Sequence, residues 1–119
     1  MRRTLIVLVF QFIATSAFAR SGFSGVYHVT GTNPGAAGER YQGTLTISSR
    51  GDAYELHWAI ANDEFHGVGI VVNNTLCVAY TAGDRVGVVG YRQRSDGSLE
   101  ARWTVEGLEQ LGTELAERQ

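Results

Sequence analysis

The side chains of this sequence best suited to metal binding or nucleophilic chemistry are His28, His57, His66 and the single cysteine, Cys77. His57 and His66 fall in successive alternating segments, with Glu55, Asp63 and Glu64 close by in sequence. Zinc requires three or four converging ligands. No His-x-x-x-His or Cys-x-x-Cys spacing occurs, so the histidines read as solvent-facing or rim residues and no metal site is expected. Cys77 lies inside the apolar stretch "NTLCVAY", where a buried, inert thiol is the expectation, and nothing ties a histidine to it as a base. There is no Gly-x-Ser-x-Gly elbow, and the acid pair Asp63-Glu64 sits in a turn, where carboxylates are ordinarily solvated. A glycosidase would need two carboxylates on facing walls, and the sequence designates no such pair. No catalytic, cofactor-binding or metal residue is assigned, and the chain is expected not to be an enzyme.

One tripeptide suggests recognition instead. Arg50-Gly51-Asp52 stands between two alternating segments, where an adhesion motif would be displayed at a hairpin tip. The same residues suit a tight turn, glycine supplying positive φ and aspartate bonding to nearby backbone N–H groups. The turn is the preferred reading, and Arg50, Gly51 and Asp52 are kept as a candidate binding loop. Asn73-Asn74-Thr75 matches a glycosylation sequon but also reads as a hairpin turn.

The elements that must position these residues are short strands. From Gly22 onward, apolar-polar alternation is broken by Gly, Asn and Asp about every ten residues, the spacing of an all-β barrel or sandwich. Tyr54, Leu56, Trp58 and Ile60 share one face of their segment; Tyr41, Leu45 and Ile47, and Leu99, Ala101, Trp103 and Val105, do the same in theirs. Connections of hairpin size make neighbouring strands antiparallel. The expected fold class is all-β, a single antiparallel up-and-down meander barrel of about eight short strands, with a two-sheet sandwich as the alternative. Glycines inside the segments, Gly25, Gly43, Gly67, Gly69, Gly87 and Gly90, mark bends, bulges or close approach of an aromatic ring. A filled interior is expected for so small a barrel, with the aromatics in the core. In "EGLEQLGTELAERQ" a turn or short helical turn is expected over 106–111, followed by a closing strand.

The chain opens "MRRTLIVLVFQFIATSAFARSG", a basic segment, an apolar run and a small-x-small site, as in a secretory signal peptide cleaved after Ala19. The expected organisation is therefore a signal peptide at 1–19 and one β-barrel-like domain at 20–119, exported to the periplasm or secreted, with no membrane span after cleavage. Loss of Arg2 and Arg3 leaves eight of the ten basic residues, all arginine, against twelve acids, a formal charge of −4. Such acidity excludes nucleic acid as a partner class, because phosphate binding needs a basic face. One thiol cannot close an intramolecular disulfide, so packing alone must hold the fold.

Taken in order, several motifs resemble a group of small exported bacterial all-β proteins often described as fibronectin-binding or uncharacterised. They are Gly25, Tyr27 and Val29; Gly31, Thr32, Asn33 and Pro34; Tyr41 and Gly43; and Tyr54 and Trp58. Gly67, Gly69 and Ile70 follow, then Asp96, Gly97, Leu99 and Trp103, and finally Gly112, Thr113 and Glu114. The resemblance spans nearly the whole segment after residue 19 and implies a fold rather than a chemistry, since it brings no site residue with it. Three functional expectations follow in rank. The first is a non-catalytic secreted or periplasmic binding module, fibronectin-binding-like, whose partner is an extracellular or envelope protein. The second is a carrier holding a small apolar ligand in the barrel, and the third a small hydrolase.

Overall fold

Short turns between alternating strands leave each strand only its sequence neighbours to pair with, and a meander of such strands hides its apolar face by closing on itself. The computed structural model describes residues 22–119, and they form that arrangement. The strands are β1 (Gly25–Thr32), β2 (Arg40–Arg50), β3 (Ala53–Ile60), β4 (Asp63–Val72), β5 (Thr75–Ala82), β6 (Arg85–Gln93), β7 (Leu99–Val105) and β8 (Gly112–Arg118). Each pairs antiparallel with the next, and β8 returns to β1, with Val29 opposite Ala116, to close an eight-stranded barrel. That closure decides against the sandwich. The expected signal peptide, residues 1–19, lies outside the described residues.

Turn chemistry sets the register. Asn73 and Asn74, at φ 50° and 66°, join β4 to β5 in a two-residue hairpin of the type that needs positive φ at both positions. The sequon is thus a turn, as expected. In the Arg50-Gly51-Asp52 hairpin positive φ falls on Gly51, at 59°, while Arg50 pairs with Ala53 across the strands. Residues 106–111 form a turn and an irregular stretch before β8 begins at Gly112.

The strand directions give the barrel two unlike ends. One carries the hairpins 50–53 and 72–75, the 94–98 loop and the chain segment before β1; the other carries the 33–39, 61–62, 83–84 and 106–111 connections. The first end is filled. Phe23 folds under it against Tyr54, ring centroids 6.1 Å apart, and its carbonyl accepts a 2.7 Å bond from the Tyr27 hydroxyl. Arg118 fixes this plug by donating to the carbonyls of Ser24 and Gly22 at 2.9 and 2.8 Å, with its guanidinium 4.9 Å from the centre of the Tyr27 ring. Beneath the plug Val29, Leu45, Ile47, Leu56, Leu76 and Leu99 are buried. Their burial removes apolar surface from water at about 25 cal/mol per Å², the main stabilising term for a chain without a disulfide.

Two expectations are corrected here. The interior is filled at this end only. Cys77 is exposed rather than buried, because Leu76, Val78 and Tyr80 are the inward residues of β5 and Cys77 falls between them. Alternation could not reveal this, since β4 to β6 are apolar on both faces: Val68, Ile70, Val72, Val86 and Val88 are exposed on the outside.

Candidate functional site

At the second end the inward side chains are large and touch in pairs, Trp58 with Tyr80 at 5.4 Å and Tyr41 with Trp103 at 6.1 Å between ring centroids, yet they leave space between them. Tyr41, Trp58, Phe65, Tyr80, Tyr91 and Trp103 surround a cavity of about 350 Å³ with Ile60, Val89 and Val105, and Glu114 stands among them. The aromatics keep to the walls because several lie across a glycine on the next strand. Tyr41 is paired with Gly31, Tyr80 with Gly87 and Trp103 with Gly112, and a Cβ added at any of these glycines would collide with the ring opposite. Aromatic rings seated on cross-strand glycines are a known device for shaping barrels, and here they hold open the mouth.

Glu114 forms the polar feature of the cavity, and small residues make its contacts possible. Gly31 stands beside it on β1 and Ala101 beside it on β7. Tyr41, one strand beyond Gly31, reaches over that glycine and donates to Glu114 Oε1 at 2.8 Å. Tyr91, one strand beyond Ala101, reaches over that alanine and donates to Glu114 Oε2. From the opposite wall the indole Nε1–H of Trp58 donates to the Tyr91 hydroxyl at 2.9 Å. The bonds run in one direction, from Trp58 through Tyr91 to the carboxylate.

No cation is paired with Glu114 in this network, so burial raises its carboxyl above its ordinary value, while the hydrogen bonds from Tyr91 and Tyr41 pull the other way. Burial, and then the neighbouring Glu114 charge, likewise raises the phenols: Tyr91 and Tyr41 well above their ordinary value and Tyr80 up to about 12. All three phenols are therefore donors at neutral pH. An ionised carboxylate offers about four lone-pair sites. Two are occupied by the tyrosines, which leaves acceptor capacity on a group that lines the cavity.

The candidate residues named from sequence lie elsewhere. Arg50, Gly51 and Asp52 project at the filled end, opposite the cavity mouth, with Arg50 bonded to Glu55 at 2.9 Å. His28 is exposed on β1. His57 and His66 face the same way, as direct partners on the outside of β3 and β4, and Glu64 joins them. Asp63 and Glu64 belong to the start of β4, paired with Ile60 and Ala59, rather than to the turn itself.

Sequence reasoning missed Glu114 as a site residue. A signal was present: alternation in "GTELAE" puts Gly112, Glu114 and Ala116 on one face, so an acid shares the buried side with two small residues. The aromatics were recognised as core, and Phe23, Tyr27, Trp58 and Tyr91 are buried there with Tyr54, Phe65, Tyr80 and Trp103 packed against them; six of the nine also line the cavity, which alternation does not show.

No family model matches the chain, and no curated protein matches it. Among solved structures it is similar to designed barrels. One is the redesigned β-barrel mFAP0 bound to DFHBI, with a TM-score of 0.64 and 20% identity over 81% of this chain and 98% of that one. Another is mFAP1, also bound to DFHBI, with a TM-score of 0.62 and 19% identity over 78% and 93%. A third is a de novo fluorescence-activating β-barrel, with a TM-score of 0.60 and 16% identity over 85% and 97%. At these identities the likeness is one of fold.

Proposed function

We propose that this protein is a non-catalytic, exported carrier that holds one small molecule in the open end of its barrel. The observation that carries the reading is the pairing of an aromatic cavity with a buried acceptor: six rings line about 350 Å³ around Glu114, whose hydrogen bonds to protein leave lone pairs free. The volume lies in the range of small-molecule pockets, which are mostly apolar with a few placed polar groups. An eight-stranded barrel has room for one small ligand. The ligand that fits is flat and largely apolar, with a hydrogen-bond donor such as an amine or hydroxyl at the end that enters first. The designed barrels that resemble this fold and hold DFHBI support the reading at the level of architecture. Export rests on the opening residues of the sequence.

The test begins with native mass spectrometry of protein purified from its own host, where a bound molecule of fixed mass is expected. That molecule is then titrated against the stripped protein, with Trp58 and Trp103 as fluorescent reporters within the cavity. Gly87→Ala should reduce affinity at least tenfold, because the three atoms nearest the new methyl group all belong to the Tyr80 ring, which must give way into the lumen. Val88→Ala, on the outer face, should leave affinity unchanged. Absence of any retained molecule, or equal affinity in the two variants, would refute the carrier.

Recognition of an extracellular or envelope protein, in the fibronectin-binding-like manner, is the second reading. Exposure of Arg50, Gly51 and Asp52 at a hairpin tip favours it. Cell attachment that survives Asp52→Glu would dismiss that loop.

A further inference from the structure

The outer surface holds a second cluster, on strands whose inner faces build the cavity wall. His57 of β3 and His66 of β4 are direct cross-strand partners, and their rings stack with centroids 4.6 Å apart and planes inclined by 15°. Glu64, two residues before His66 and therefore on the same face, places Oε1 3.1 Å from His57 Nε2. One ligating atom from each of the three lies within 4.8 Å of the other two. On the next inward positions, Trp58 and Phe65 face each other across the same pair of strands.

We propose that His57, Glu64 and His66 form a binding site for one divalent transition cation, of which zinc(II) is the reference case. Two imidazole nitrogens and one carboxylate oxygen are a donor set suited to zinc or copper rather than to calcium or magnesium, which take oxygen ligands. Tetrahedral zinc with bonds of about 2.0–2.2 Å sets its ligand atoms roughly 3.4 Å apart. The His57–Glu64 pair, at 3.1 Å, is already within a few tenths of an ångström of that separation. The widest gap closes by side-chain rotation, which is inexpensive because His66 and Glu64 are exposed. The strand ladder fixes both histidine backbones beforehand, so binding orders little more than side chains. Three protein ligands leave a fourth position for water, and the cation would pin β3 to β4 at the level of Trp58 and Phe65. Spacing rules overlooked the site because register across a hairpin, rather than sequence separation, joins its ligands.

The test is calorimetric titration of zinc chloride into the tag-free chain carrying Cys77→Ser, which removes the exposed thiol as a competing ligand. One zinc per chain is expected, with no comparable binding of calcium chloride. His57→Gln and His66→Gln should each weaken binding by at least about tenfold, the scale at which even loss of a hydrogen-bond partner to a metal ligand is felt. His28→Gln should change nothing. Circular dichroism confirms that the variants keep the barrel, and copper(II) bound to the parent should show two equatorial nitrogens by electron paramagnetic resonance. Zinc binding that survives His57→Gln and His66→Gln, equal binding of calcium, or no binding at all would overturn the proposal.

Discussion

Tyr91→Phe is the substitution that most directly examines the network of the cavity. Tyr91 is fully buried, and its hydroxyl both accepts from Trp58 Nε1 and donates to Glu114 Oε2. Phenylalanine keeps the ring and its packing while removing that one oxygen. Two groups then lose a partner: a buried indole N–H, at about 1–3 kcal/mol, and a bond to an ionisable carboxylate, at about 1.5–3 kcal/mol. The two losses overlap, since Glu114 keeps Tyr41 and can respond by holding a proton, so the expected cost is about 3 kcal/mol. For a domain of this size each kcal/mol moves the melting temperature by about 4–8 °C, which places the shift at roughly 12–24 °C. Tyr41→Phe supplies the comparison. Its hydroxyl is half-buried and donates to Glu114 without accepting from a buried donor, so its loss should cost only about 1 kcal/mol. Urea unfolding of Tyr91→Phe, Trp58→Phe and the double variant completes a cycle, in which a coupling of about 1 kcal/mol or more is expected for residues sharing one bond. The reasoning fails if Tyr91→Phe costs no more than Tyr41→Phe, or if the cycle shows no coupling.

Two further outcomes follow from the same structure. Burial raises the Glu114 carboxyl above its ordinary 4.5, so the folded chain holds that proton more tightly than the unfolded one. The resulting stability is fully present below the unfolded value and is lost as pH rises through the folded one, so Glu114→Gln should flatten that part of the stability–pH curve; parallel curves for parent and variant would contradict this. At the other end, Gly51→Val should cost about 1–2 kcal/mol in denaturant unfolding, all of it backbone strain, because φ is 59° and an added Cβ there meets nothing within 4 Å. An unchanged midpoint would show that the hairpin readily adopts another turn.

The strands, the turns and the buried faces of β2, β3 and β7 were legible because in each the alternation has a clear contrast between its faces. Cys77 was misplaced for the opposite reason: in β5 and its neighbours both faces are apolar, so no contrast marks the inward side. The contacts at both candidate sites were not legible for a different physical reason, although the sequence already brings His57, His66 and Glu64 near one another. Glu114 meets Tyr41 and Tyr91 only through the ladder, each tyrosine lying two strands away. His57 meets His66 only because Ile60 and Asp63 close a hairpin at the right rung. Local pattern gives the face a residue occupies, whereas contact across strands depends on register, and register depends on the length and type of every turn between.

One end of the barrel is packed and the other open, although both are rich in aromatics. At the filled end, Tyr27 and Tyr54 pack among buried side chains of medium size, and Phe23 enters from outside the sheet to occupy what is left. At the open end Tyr41, Tyr80 and Trp103 lie across Gly31, Gly87 and Gly112, so these three rings cover a neighbouring strand instead of filling the lumen. Local packing requires those glycines, since a Cβ added at any of them would collide with the ring opposite. The buried acid is different: a merely stable barrel would gain by replacing it with an apolar side chain, because desolvating a carboxylate is unfavourable. Glu114 lines the same cavity as the rings seated on the glycines. Packing does not explain the acid, whereas a ligand that fills the space and donates to Glu114 would.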